Sequence, residues 1–145
     1  MYADYTQKEA KIRMKISLYD SENIMYELLD KLCKSEEFGP LAVLFNYPLR
    51  KIVDANIIND KADKAFVLHP KTHCDFVVYN LLDKSVRLVV EVDGKQHNSD
   101  IQKMRDARKD RVLRLMGIEI IRIETTSVNV EEKIKQALKP RKLKP

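Results

Sequence analysis

The sequence predicts an α/β fold, a small mixed sheet flanked by helices. Three observations carry that expectation. Residues 86–93 alternate like a half-buried strand; Ile24, Met25, Leu28, Leu29 and Leu32 recur at helical spacing; and Asp100 to Met116 is a second long helical stretch closed by Gly117. The implied order is helix, three strands, helix, strand, helix, which is an α/β sandwich.

Residues 1–19 are expected to form an N-terminal extension in which Ile12, Met14, Ile16 and Leu18 alternate, as in an appended strand or helix. Asp20 or Ser21 is the expected N-cap of the first helix, which runs to Cys33 and is stopped by Gly39-Pro40. Leu41 to Val53 reads as extended, edged by Pro48, and a polar loop follows with Asn56, Asn59, Asp60, Lys61, Asp63 and Lys64. Cys74 to Tyr79 is an apolar strand with its turn at Asn80 to Lys84. In Val86 to Asp93, the side chains of Val86, Leu88, Val90 and Val92 point one way, and those of Arg87, Val89, Glu91 and Asp93 the other. The next helix has Ile101, Met104, Val112, Leu115 and Met116 on its apolar stripe, with Gly117 as the C′ residue. Ile118 to Ile123 is a strand and Val130 to Leu138 a last helix. One domain over 20–138 is therefore expected, followed by a basic tail, 139–145, with two prolines and no apolar period.

Composition narrows the functional classes. Hydrophobic residues make up 44% and charged residues 34% of the 145, a soluble globular balance. The longest apolar run, Leu41 to Phe45, is far too short for a membrane helix, and the charged N-terminus has no signal-peptide core. Cys33 and Cys74 alone suit free thiols in a reducing cytoplasm. The three glycines occupy separate turns, so no phosphate-cradling loop is present. His69-Pro70-Lys71-Thr72-His73-Cys74 lacks the second ligand pair of a zinc site. A net charge of +5 permits a nucleic-acid partner without establishing one. The positive residues concentrate in two places: Gln102 to Arg114, which holds Arg105 and Arg108, and the stretch after Glu132, which includes Lys139, Arg141, Lys142 and Lys144 without an acid.

The chemistry lies in Val90-Glu91-Val92-Asp93-Gly94-Lys95-Gln96-His97. Glu91 and Asp93 share a strand face, and Asp75 is an acid inside another apolar strand. Acids placed together in apolar surroundings are costly unless a cation sits between them. Converging carboxylates would make an all-oxygen site for Mg²⁺ or Mn²⁺. The competing reading pairs Glu91 and Asp93 with Arg87, Lys95 or helix arginines as solvated strand-end charges.

Asp75 within Cys-Asp-Phe-Val-Val, followed by Glu91-Val92-Asp93-Gly94-Lys95-Gln96-His97, resembles the core of the PD-(D/E)XK nuclease superfamily. It is similar to a branch with Asp-Phe and Glu-x-Asp-Gly-x-x-His strands, which includes relatives of the very-short-patch repair endonuclease. The likeness runs through Asp106 to Asp110, Leu113 and Gly117 to the strand 118–123, and back to Glu22 and Tyr26, covering roughly residues 20–124. It implies a restriction-endonuclease-like αβββαβ core and metal-dependent DNA hydrolysis. Asp75, Glu91 and the Val92 carbonyl would be metal ligands, with Glu22 as the first-helix acid that approaches them; the competing reading of Glu22 is an exposed first-turn residue favouring the helix dipole. One position departs from the superfamily pattern: Asp93 stands where a lysine is expected. Lys95, Gln96 and His97 are nearby replacements, and Lys109 on the following helix could reach back; His97 could equally be a structural histidine. The catalytic set expected from the likeness is thus Asp75, Glu91, Asp93, Lys95, His97 and Lys109.

The rival readings are a catalytically inactive nuclease-fold module that binds nucleic acid, and a component that docks a protein in a repair or defence assembly. Sequence does not separate DNA from RNA. Duplex cleavage by one such site would need two copies, as in a homodimer.

Overall fold

A computed structural model of the chain describes residues 14–94 and 99–139. Its strands form one four-stranded sheet in the order β1-β2-β3-β4: β1 (Leu41–Pro48), β2 (His73–Asn80), β3 (Val86–Asp93) and β4 (Ile120–Glu124). The first two pairings are antiparallel and β3–β4 is parallel, so the sheet is mixed, as expected. The parallel pair is joined by a crossover helix, as such pairs require.

Among the described residues four α-helices flank this sheet: α1 (Asp20–Cys33), α2 (Lys61–Leu68), α3 (Asp100–Leu115) and α4 (Val130–Leu138). Each face has its own core. On one, Met25, Leu29 and Leu32 of α1 and Ile134 and Leu138 of α4 pack on Phe76, Val78, Leu88 and Val90. On the other, Val67 of α2 and Val112 and Leu113 of α3 pack on Cys74, Val77 and Val89. Among the described residues no helix is long and apolar enough to cross a membrane.

Several boundaries differ from the expectation for identifiable reasons. Residues 14–19 form neither strand nor helix; the Asn23 side chain accepts from the Ile16 and Ser17 amides and donates to the Ser17 and Tyr19 carbonyls, pinning the segment. The N-cap of α1 is Tyr19, and Ile24 is exposed. The first strand ends at Pro48 and gives way to a 3₁₀ turn, Leu49–Lys51. The expected polar loop contains α2, nucleated by Asp60, whose carboxylate accepts from the Asp63 amide. A bulge shifts the β2–β3 register from Val78↔Leu88 to Tyr79↔Val86, leaving Arg87 as the extra residue. Val86 therefore packs on the α2/α3 face rather than with Leu88 and Val90. Arg87 donates instead to the Leu138 carbonyl (2.6 Å) at the α4 C-terminus, where a cation is favoured.

The largest difference is in α3. Its expected stripe is mostly outward: Ile101 is 74% exposed, Met104 61% and Leu115 58%, while only Val112 and Leu113 are buried. Gly117 (φ +70°) closes the helix as anticipated, with the Ile118 amide returning to the Leu113 carbonyl at 3.0 Å.

Candidate active site

The β2–β3 ladder is regular from Val78↔Leu88 to Phe76↔Val90 and then stops. Beyond it, side chains replace backbone partners. The Asp75 amide donates to Glu91 Oε2 (2.6 Å), and the Val92 amide donates to Asp75 Oδ2 (2.9 Å). The two carboxylates thus bridge a fork between the strands.

The fork coincides with a roll in β1 and β2. Asn46, between the pairs Phe45↔Phe76 and Tyr47↔Cys74, is left-handed (φ +54°), a conformation asparagine tolerates. Phe45 and Phe76 pack on the α1/α4 face, whereas Tyr47 and Cys74 pack on the α2/α3 face. Residues two apart on one strand normally share a face, so both strands turn over between these pairs. Asp75 sits at that turn.

Glu91 is only 3% exposed. Lys109 of α3 reaches back over the strand ends, donating to Glu91 Oε1 and to the His73 carbonyl (2.7 Å). Burial pushes the Glu91 carboxyl above the usual carboxylate range, against the opposing pull of the Lys109 ammonium, and the Asp75 charge pushes the same way as burial. Burial also pushes the neighbouring Cys74 thiol up to about 12 and Cys33 to about 11, which leaves both protonated and poor nucleophiles.

The expected convergence of three carboxylates is not found: among the described residues, no three His, Cys, Asp or Glu side chains form a group that would hold a metal. Asp93 shares the Glu91 face, but Arg122 Nη1 of β4 lies 3.9 Å from its Oδ1. The same guanidinium is 3.4 Å from Asp106 Oδ1 and donates to Asp110 Oδ1 at 2.6 Å, so β4 and α3 are tied beside the fork. Glu22 does not join the pair either; it accepts from Ser17 Oγ (2.6 Å) in the first turn of α1. Lys95, Gln96, His97, Arg141, Lys142 and Lys144 lie outside the described residues.

The expected nucleic-acid contacts have intramolecular roles where they are described. Arg108 Nε lies 3.3 Å from Asp63 Oδ1, on a carboxylate that also receives two bonds from Arg111 (2.8 and 2.6 Å). Arg105 stands over the Phe66 ring, 5.9 Å from its centroid. Lys139 is exposed at the end of α4. Sequence reasoning did not single out Arg122, Asp63 or Arg111. Arg122, a lone cation inside the apolar strand Ile120–Glu124, was the available signal.

A family model described as "Protein of unknown function (DUF2726)" matches residues 14–141. The chain belongs to that family. The DUF2726 match spans the entire sheet and therefore includes Asp75, Glu91, Lys109 and Arg122. No curated protein and no solved structure matches the chain.

A divalent cation fits the fork of this DUF2726 chain on chemical grounds. The donors are carboxylate oxygens, the set that Mg²⁺ and Mn²⁺ select, and Val92 directly follows Glu91 in the chain.

Proposed function

We propose that this DUF2726 chain is a divalent-metal-dependent nuclease of the PD-(D/E)XK type, with a restriction-endonuclease-like core, hydrolysing DNA phosphodiester bonds in the cytoplasm. The observation that carries the reading is the fork: Asp75 and Glu91 bridge two splayed strands, and Lys109 is delivered to Glu91 from the following helix. That arrangement supplies a cation where Asp93 replaces the superfamily lysine.

Asp75 and Glu91, with the Val92 carbonyl, would hold Mg²⁺ or Mn²⁺. The bound ion would polarise the scissile phosphate and lower the pKa of the attacking water. The amides of Asp75 and Val92 fix the carboxylates before substrate arrives, so little reorganisation is needed. Lys109, fixed by the His73 carbonyl, would present its remaining proton to a phosphate oxygen and offset the negative charge that develops there. Arg122 keeps α3 seated through Asp106 and Asp110 and thereby sets where Lys109 points. Cutting both strands of a duplex takes two copies or two encounters.

The test is nicking of supercoiled plasmid with Mg²⁺ or Mn²⁺. Wild type should nick, while Asp75→Asn and Glu91→Gln should fall to background with thermal unfolding preserved. Mn²⁺ binding by calorimetry without nicking of any DNA or RNA substrate would move the chain to an inactive nuclease-fold module.

A further inference from the structure

The α2/α3 face of the sheet is open beside the β1 edge. A groove of about 490 Å³ lies there, floored by Leu44, Val77 and Val86. Tyr47 and Tyr79 line it, each with a lysine against its ring: Lys51 Nζ is 5.5 Å from the Tyr47 centroid, and Lys84 Nζ is 5.7 Å from that of Tyr79. Among the described residues the lining includes these two lysines and no acid. Tyr47 reaches this face because of the roll at Asn46; without it, the side chain would share the face of Phe45.

We propose that this groove binds single-stranded nucleic acid, with bases stacked on Tyr47 and Tyr79 and phosphates on Lys51 and Lys84. The proposal rests on the nuclease reading, whose DNA substrate it narrows to one with an unpaired segment beside the cut. An apolar floor with tyrosine rings suits flat, weakly hydrated bases, and ammonium groups at the rim suit the phosphates that accompany them. A duplex keeps its base faces stacked and would leave the tyrosines unused. The placement agrees with delivery to the fork. Tyr47 pairs with Cys74, next to Asp75, and Tyr79 lies five residues further along β2, about 17 Å away at ordinary strand rise. A strand seated in the groove therefore has one end beside the candidate metal ligands.

Binding of a fluorescein-labelled oligothymidylate, measured in EDTA, tests the groove without cleavage. The chain has six tyrosines and no tryptophan, so quenching of its own emission reports stacking directly. Tyr47→Leu and Tyr79→Leu should each weaken binding by roughly tenfold, within the range of a base–aromatic stack. The exposed pair Lys51→Gln/Lys84→Gln carries no folding risk and should shallow the log–log salt slope by about 1.4, or 0.7 per lost contact. Equal affinity for the matching duplex, or unchanged oligothymidylate affinity and salt slope in these variants, overturns the proposal. The two readings fail separately. A chain that nicks plasmid but binds oligothymidylate independently of the tyrosines loses the groove alone. One that binds through the tyrosines but never nicks loses the nuclease reading alone.

Discussion

Asp63 and Glu91 are each 3% exposed and each meets cations from α3, yet they sit in opposite electrostatic situations. Asp63 is one acid against two guanidiniums. Hydrogen bonding to Arg111 holds its carboxyl below the usual range despite burial. Glu91 has the acid Asp75 beside it as well as the Lys109 ammonium, and burial holds its carboxyl above that range. Burial of charge therefore does not distinguish a tie between helices from a candidate functional site; the direction in which the surroundings move the carboxyl's titration does. A carboxylate held low by its cations is a structural tie, whereas one held high by burial beside a second acid is a candidate functional group.

The comparison breaks most visibly at the lysine. Lys109→Ala should slow nicking by ~100-fold or more, the range of a positioned proton donor, at saturating Mg²⁺. Mn²⁺ affinity by calorimetry should stay near wild type. Cleavage at the wild-type rate would make Lys109 a plain counter-ion and remove it from the mechanism.

Asp63→Asn should leave nicking untouched and cost about 2 kcal/mol in urea unfolding, the scale of a charged hydrogen-bonded pair whose arginines are partly exposed. Because the folded carboxyl titrates below its unfolded value, its stabilisation is complete above the ordinary carboxylate pKa and fades as pH falls through the folded one. Wild-type and variant melting temperatures should therefore converge below about pH 4. A constant gap down to acid pH would show that the pair contributes by packing alone.

The smallest effect is the most discriminating. Glu91 titrates above its unfolded value, so the folded state is penalised as pH rises from about 4.3 towards the folded pKa. Without metal, Glu91→Gln should gain on wild type over that rise. Excess Mn²⁺ should reverse the order by stabilising only wild type. A pH-independent difference would sink the contrast with Asp63.

The parts legible from sequence are those where burial and apolarity coincide. β3 and α4 fall at their expected limits because Leu88, Val89 and Val90, and then Ile134 and Leu138, are both apolar and buried. α2 escaped notice because it buries only Asp63 and Val67, and its first half reads as polar loop. The Asp60-x-x-Asp63 spacing, an N-cap followed by an acid in the first turn, was the usable sign. α3 misled for the opposite reason. Its inward positions run Gln102, Asp106, Lys109 and Leu113, and the first three are polar because they face the fork and Arg122. Apolar periodicity then marks the solvent side, where Ile101 and Met104 stand exposed. Asp75 and Glu91 were visible as acids inside apolar strands. That Asp93 would turn to Arg122 was not, because the β3–β4 register decides it.

At the fork, carboxylate oxygens occupy the places that ladder carbonyls hold elsewhere in the sheet. The amide protons of Asp75 and Val92 are consequently built-in reporters. Their exchange with deuterated solvent is slowed by side chains that can titrate or be drawn elsewhere, whereas the amides of Phe76 to Val78 rely on backbone alone. An isotope-labelled sample therefore records what occupies the fork through two resonances, with neither a substrate nor an attached probe.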